Sequence, residues 1–315
     1  MLPEVARWFA ERTSAAADWP VGRLLDAKGA SGETVAVVLP ALDEEETVGR
    51  IVEVLHRQLV ERHALLDELV VVDSGSTDHT VAVARDAGAR VVSREDVFPD
   101  IAPVPGKGEV LWRGVATTTS SVVAFVDSDL RDFTAAFVTG LVGPLLDDPG
   151  VHFVKATYDR AITVGGVEHI SGGGRVTELV ARPLIALHWP QLAGFVQPLG
   201  GEYAARRALL ERLPFACGYG VELGLLIDAL DAVGLDGLAQ VDLARRKHRN
   251  SDVAKLGRMA AEILQVAERR LGRKTPDPFL FTQYARTSGG YAAVVTDVTE
   301  TERPPLISVP DYDAG

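Results

Sequence analysis

Two carboxylates one residue apart, Asp127 and Asp129, close the run Val122-Val-Ala-Phe-Val126, with Ser128 between them. The run is continuous and apolar, rich in β-branched residues with one aromatic, which suits a strand buried on both faces, so the pair stands at a strand's carboxyl end. Ligands of open α/β sheets bind in the crevice outside those ends. Two closely spaced hard oxygen donors there suit Mg2+ or Mn2+ that is also held by a substrate's phosphates. Asp and Ser are favoured turn residues as well, and a strand followed by a polar turn is the plainer reading of the same letters.

Four other stretches put charge where anion chemistry would use it. Lys107 lies between Gly106 and Gly108, so it can approach a phosphate closely; a solvated lysine on a surface loop is the alternative. Gly165-Gly166 and then Ser171-Gly-Gly-Gly174-Arg175 make a glycine-rich loop before a helix beginning near Val176. Backbone N–H groups and the helix dipole favour an anion there and Arg175 adds a two-pronged clamp, although a bare hairpin tip has the same composition. Glu222 falls in the first turn of a helix opened by Gly218-Tyr-Gly. A carboxylate at that position also complements the dipole, by at most about 1 kcal/mol. Ala244-Arg-Arg246-Lys-His248-Arg-Asn250 is a compact basic run in an acidic chain, either a solvated face or a phosphate site. No stretch has the spacing of a Walker A loop, and no Gly-x-Gly-x-x-Gly follows the first strand, which counts against a dinucleotide fold.

The elements that must position these groups alternate. Thr34–Pro40 reads as a strand, followed by a helix with Asp43–Glu46 in its acidic first turn and Val48, Ile51, Val52, Leu55 and Leu59 as its apolar stripe. Asp67–Asp73 is a second strand, Ser74–Asp78 a turn, Thr80–Ala87 a helix and Ala89–Ser93 a third strand. That order predicts a parallel sheet with right-handed crossovers, the Asp-x-Asp strand being its fourth. Val151–Tyr158 and Leu238–Leu243 add strands, while Glu109–Ala116, Val221–Val233 and Val253–Arg270 carry helical apolar spacing. Residues 1–33, with Leu2, Val5, Ala6 and Phe9 on one helical side, read as a leader packing on the core, and the Pro-rich end from Arg303 as an irregular arm. The long helix and that arm would serve a homodimer.

A chain of 315 residues accommodates one large α/β domain, or a domain with an appendage. Its net charge of −12 and pI near 5.1 argue against a general nucleic-acid binder. Cys217 is the single cysteine, so it forms no internal disulfide and fits no metal spacing; a reducing compartment and a packing role follow. The most apolar segment, Val176–Gly201, is interrupted by Glu178, Arg182, Pro183, His188, Pro190 and Pro198, and the N-terminus lacks the apolar core of a signal peptide. The expectation is a cytoplasmic protein without a membrane span.

Together, Val38-Leu-Pro-Ala-Leu-Asp-Glu-Glu, Val71-Val-Asp-Ser-Gly-Ser-Thr-Asp, Pro105-Gly-Lys-Gly, Phe125-Val-Asp-Ser-Asp, Gly172-Gly-Gly-Arg-Val-Thr, Gly218-Tyr-Gly-Val-Glu and Arg246-Lys-His-Arg-Asn resemble the signature stretches of the GT-A-fold nucleotide-sugar glycosyltransferases. More narrowly, they resemble the actinobacterial glucosyl-3-phosphoglycerate synthases, in that family's order and over nearly the whole chain. The resemblance implies a Rossmann-like, mostly parallel sheet with a C-terminal helical extension, residues 34–160 as the nucleotide-sugar half and 161–315 as the acceptor half. It implies that Pro40, Ala41, Leu42, Glu44 and Ser74 hold the uridine, with Lys107 near the nucleotide. Asp129 and His248 would ligate Mg2+ or Mn2+ on the diphosphate, Asp127 would hold the sugar or ribose side, and Ser128 would add polar contacts. Gly174, Arg175, Thr177, Arg246 and Asn250 would receive the acceptor, 3-phosphoglycerate, and Glu222 would orient its hydroxyl or accept its proton. Transfer of glucose from UDP-glucose with retention is the activity implied.

The rival enzyme is a mannosyl-3-phosphoglycerate synthase using GDP-mannose, or a polyprenyl-phosphate sugar transferase, for which no membrane-seeking helix is found. A non-catalytic nucleotide-sugar-binding protein would show a broken Asp-x-Asp or a lost His248, and both are intact.

Overall fold

The computed structural model describes residues 1–164, 167–169, 174–247, 253–310 and 312, with backbone alone at 160–164, 167–169 and 245–247. Its strands, in chain order, are β1 (Thr13–Ala15), β2 (Val35–Ala41), β3 (Glu68–Asp73), β4 (Arg90–Ser93), β5 (Val122–Phe125), β6 (Phe153–Val164), β7 (Val167–His169), β8 (Tyr203–Arg206), β9 (Phe215–Ala216), β10 (Leu238–Lys247), β11 (Leu280–Thr287), β12 (Gly290–Asp297) and β13 (Glu302–Arg303). Among the described residues the main sheet runs β1-β10-β6-β8-β5-β2-β3-β4, with β7 on β6. All neighbours on that path are parallel except β8, which is antiparallel to both β5 and β6. The two parallel blocks on either side of β8 therefore point the same way, and the carboxyl ends of β2, β3, β5 and β6 meet at one edge with the amino end of β8.

Helices cover both faces of the sheet, so its central strands β2, β3 and β5 are buried, mainly apolar runs rather than alternating ones. Val122, Ala124 and Val126 face one core with Val35, Val37 and Leu39, while Val123 and Phe125 face the other with Val38, Trp112 and Tyr203. The amphipathic stripe Val48, Ile51, Val52, Leu55 and Leu59 is wholly buried in the first of these.

Several boundaries differ from expectation for local reasons. The acidic Asp43–Glu46 lie in a turn before the helix, which begins at Val48, and Asp43 adopts the left-handed backbone region with φ of 54°. The Asp-x-Asp strand is fifth in the chain because Thr13–Ala15 pairs with β10, a strand too short to register in a pattern. The first helix, Pro3–Arg12, buries Val5 and Trp8 and leaves Phe9 exposed. β10 runs on through a register shift into the first part of the basic run, reaching Lys247. The hairpin β11–β12 had no sequence signal strong enough to find it. The arm from Arg303 is tied down, with β13 pairing with β9 and a turn at Leu306–Ser308.

One buried ion cluster fixes the helix Lys107–Ala116. Glu109 and Arg113 are fully buried and meet at 2.7 Å, and Arg303 reaches Glu109 from the C-terminal arm at 2.5 and 2.8 Å. Arg113 also donates to the carbonyls of Arg94, Val97 and Ile101. Burial pushes the Glu109 carboxyl up, but the hydrogen bonds and charges of the two arginines outweigh it and hold it below the ordinary 4.5. Glu109→Gln leaves two guanidinium groups without their carboxylate, and urea unfolding should register a loss of ~3–5 kcal/mol. The cluster's contribution is present above pH 4.5 and lost as pH falls through the depressed value, so the difference between parent and variant should shrink on acidification. A difference that persists unchanged in acid would show that the cluster is not held by charge.

Candidate active site

The loops that follow β2, β3 and β5 enclose a cavity of about 1350 Å³ at the carboxyl edge of the sheet. Pro40, Ala41, Leu42, Glu44, Ser74, Lys107, Asp127, Ser128, Asp129 and Glu222 all line it. The structure thus gathers ten residues from five separate stretches of sequence around one space.

Small polar groups lock these loops together. Ser74 Oγ donates to the Ala41 carbonyl at 3.0 Å and Ser128 Oγ to the Pro40 carbonyl at 2.8 Å, so the segments after β3 and β5 are both pinned to the end of β2. Thr47 Oγ1 donates to the Ser128 carbonyl at 2.6 Å, and the Glu44 N–H donates to Thr80 Oγ1 at 2.7 Å. With its hydroxyl engaged and only 3% of its surface exposed, Ser128 acts in this arrangement by shaping the Asp127–Asp129 loop.

Lys107 is the first residue of its helix rather than part of a loop, and it joins the two halves of the site. Its Nζ is 2.5 Å from Asp127 Oδ1 and 3.0 Å from Glu222 Oε1. Burial pulls the ammonium down, but the Asp127 and Glu222 carboxylates outweigh it and hold the lysine well above its ordinary value. The flanking glycines have a packing reason: a Cβ on Gly106 or Gly108 would stand 2.2 Å from the Cys217 or 1.8 Å from the Ala216 carbonyl oxygen. The Gly108 N–H donates to the Cys217 carbonyl at 2.8 Å, which seats the helix start against the segment leading to Glu222. Cys217 is buried, and burial with the Glu109 and Glu300 charges pushes its thiol up to about 12, as a packing role requires.

Glu222 sits in the first turn of the helix Val221–Val233 with 7% of its surface exposed. Sequence reasoning missed the wall beside Gly218 and Tyr219, where Lys255, Met259, Glu262 and the segment Asp297–Thr301 line the cavity. Glu300 there is pushed up to about 7, first by burial and then by the Glu262 charge, against the Gly218 N–H that it accepts at 2.7 Å. It also missed Gly201, next to the amino end of β8.

Gly174, Arg175 and Thr177 are not among the residues lining the cavity. Arg175 is exposed, whereas Thr177 is buried and its hydroxyl has no hydrogen-bond partner among the described residues. His248 and Asn250 lie outside the described residues, as does the loop Ser171–Gly173, and Arg246 is described only as part of β10. No helix is long and apolar enough to cross a membrane among the described residues.

As a test of fit for a divalent cation, the cavity wall offers the oxygen donors that Mg2+ and Mn2+ select. Asp127 and Asp129 project from one loop, Glu44 from the next, and carboxylates outnumber cations along the lining. A cation would relieve this crowding of negative charge. Gly201 limits how the donors can shift, since a Cβ there would stand 2.4 Å from Lys107 Nζ and 2.5 Å from Asp127 Oδ2. Gly201→Ala should separate Lys107 from Asp127 while leaving the fold intact. UDP with Mn2+ should then raise the melting temperature of the variant less than that of the parent, and an equal rise would mean that the pair has room to move.

Residues 36–212 match the model of glycosyl transferase family 2. The glucosyl-3-phosphoglycerate synthase of Mycolicibacterium smegmatis is 49% identical over 303 residues, covering 96% of this chain and 98% of its own. The glucosyl-3-phosphoglycerate synthase of Mycobacterium tuberculosis, solved with Mn2+, UDP-glucose and phosphoglyceric acid, superposes with a TM-score of 0.81 at 46% identity over 92% of this chain and 95% of that one. The mannosyl-3-phosphoglycerate synthase of Rubrobacter xylanophilus superposes with a TM-score of 0.88 at 39% identity over 96% of this chain and 97% of that one. The sheet described above is therefore the GT-A glycosyltransferase fold, and the chain belongs to glycosyl transferase family 2 and, within it, to the glucosyl-3-phosphoglycerate synthases.

Proposed function

We propose that this protein transfers glucose from UDP-glucose to 3-phosphoglycerate, with retention and in the presence of Mn2+ or Mg2+, as a cytoplasmic enzyme that forms a homodimer. The observation that carries the reading is the union of Asp127, Asp129, Lys107 and Glu222 around one cavity, in a chain nearly half identical to relatives named for that reaction. In this reading Pro40, Ala41, Leu42, Glu44 and Ser74 cradle the nucleoside, and Asp129 with His248 would hold the metal. The bound ion supplies electrostatic stabilisation of the charge that develops on the departing diphosphate.

The chain's own residues do the rest. Lys107 keeps the Asp127 and Glu222 carboxylates within one ion-paired unit, so both are aimed before a substrate arrives. Asp127 fixes the sugar, and Glu222 orients the acceptor hydroxyl and takes its proton. Arg175, Gly174, Thr177, Arg246 and Asn250 bind the acceptor's phosphate and carboxylate. Support for that subsite comes from the buried Thr177 hydroxyl, which has no hydrogen-bond partner among the described residues, because such a group is costly unless its hydrogen bond is completed.

Mass-spectrometric detection of product, with UDP-glucose and GDP-mannose offered in parallel and 3-phosphoglycerate or glycerate as acceptor, tests the reading. UDP-glucose with 3-phosphoglycerate should give the product at the highest rate, and preference for GDP-mannose would overturn the donor assignment. Glu222→Gln keeps the side chain's size and removes the proton acceptor, so kcat should fall roughly 10²–10⁴-fold with little change in donor affinity. Turnover near that of the parent would leave Glu222 only its role at the helix start. Arg175→Ala should raise KM for 3-phosphoglycerate far more than KM for UDP-glucose, with only partial recovery in Arg175→Lys, because lysine lacks the planar fork. A proportional change in both constants would remove Arg175 from the acceptor subsite.

A further inference from the structure

Lys155 lies in the middle of the sheet, on β6, opposite Tyr203 of β8 and Gln240 of β10. It is fully buried. Taking an ammonium out of water carries a penalty of several kcal/mol unless it is paired, yet Lys155 is in no ion pair among the described residues. Its partners are the Gly200 carbonyl, to which Nζ donates at 2.6 Å, and the face of the Tyr203 ring, whose centroid is 4.7 Å away. Burial pulls its ammonium down to about 8, and the Glu222 charge is the strongest influence in the other direction. An apolar side chain would suit this core position better, so the lysine needs a reason.

That reason lies in the turn it holds. The Gly200 N–H donates to the Gln197 carbonyl at 3.0 Å, closing a turn that ends at β8. The antiparallel register sets Phe125 opposite Tyr203, and carrying it two residues further places Gly201 beside Asp127. A Cβ on Gly201 would strike both Lys107 and Asp127, so the backbone there is a wall against which that pair rests. We propose that Lys155 is a positioning residue for glycosyl transfer, holding the Gly200–Gly201 turn through the Gly200 carbonyl and thereby fixing where Lys107 and Asp127 stand. The inference rests on reading the cavity as the UDP-glucose site.

The test uses the full-length protein with Lys155→Met, which fills the space without a donor, and Lys155→Gln, which keeps a neutral donor. Hydrogen–deuterium exchange over 197–203 should quicken at least 10-fold in Lys155→Met, with peptides covering 122–126 unchanged. The kcat should fall roughly 10- to 100-fold while KM for both substrates stays within about threefold, a split that general destabilisation would not produce. Lys155→Gln should recover part of both, and it serves as the test variant should Lys155→Met fail to fold. Faster exchange together with lowered kcat upholds the inference; unchanged exchange, or unchanged kcat, overturns it. Should the parent make no product from 3-phosphoglycerate, the acceptor reading fails by itself. The Lys155 comparison is then read from metal-dependent release of UDP from UDP-glucose, with the same two outcomes.

Discussion

Lys107 Nζ stands 2.5 Å from Asp127 and 3.0 Å from Glu222, carboxylates that belong to opposite halves of the chain. Without a cation between them, a buried and a half-buried carboxylate facing one cavity repel each other and lose solvation together. With it, the three groups form a unit whose geometry is set by backbone elements on three sides. The helix that begins at Lys107 supplies the cation, the loop after β5 supplies Asp127, and the helix Val221–Val233 supplies Glu222. Each element must come unusually near the others for side chains of this length to meet. Gly108 permits one approach, against the Ala216 carbonyl, and Gly201 permits another, against the ion pair itself.

Elsewhere the structure is arranged to keep that approach fixed. The buried Glu109–Arg113 pair follows Lys107 on the same helix, and Arg303 ties the C-terminal arm to it. Trp112, one residue earlier, donates its indole N–H to the Pro304 carbonyl at 2.9 Å. The C-terminal arm is therefore part of the framework of the site, even though its own sequence has no regular pattern. The same holds for the N-terminal residues: β1 extends the sheet beyond β10, and Trp8 donates to the Leu238 carbonyl at 2.7 Å.

What was legible in the sequence follows from how local its causes are. Buried parallel strands announce themselves as apolar runs, so Asp127 and Asp129 could be assigned to a strand's carboxyl end from the residues alone, whereas Ser74 and Glu44 read only as turn and helix-start residues and reached the site through the family resemblance. The helix stripe from Val48 was equally plain. The reason for Gly106 and Gly108 was not, because a phosphate and a carbonyl oxygen impose the same demand for a missing Cβ, and the carbonyl belongs to a residue more than a hundred positions away. Lys155 was invisible for a related reason: in Val154-Lys-Ala-Thr it reads as one polar residue in a strand, and its partner Gly200 is set by strand register rather than by sequence spacing. The wall formed by Asp297–Thr301 depends on a hairpin whose exposed faces give no clean alternation.

An acidic protein that handles phosphorylated substrates must place its positive charge locally, since its overall field opposes them. Along the described cavity that local charge is scarce, and Lys107 is already shared between two carboxylates. An ammonium has three N–H donors and no acceptor, so a group that binds two carboxylates has one donor left for an incoming phosphate oxygen. It cannot neutralise a diphosphate unaided while it neutralises Asp127 and Glu222. Under the proposed function, the counter-charge for a diphosphate would come from a divalent cation held by Asp129, from the basic run that follows β10, or from Arg94, Arg131 and Lys255, which also line the cavity. In the proposed reading, one lysine keeps Asp127 and Glu222 aligned, and a divalent cation would supply counter-charge for the leaving group.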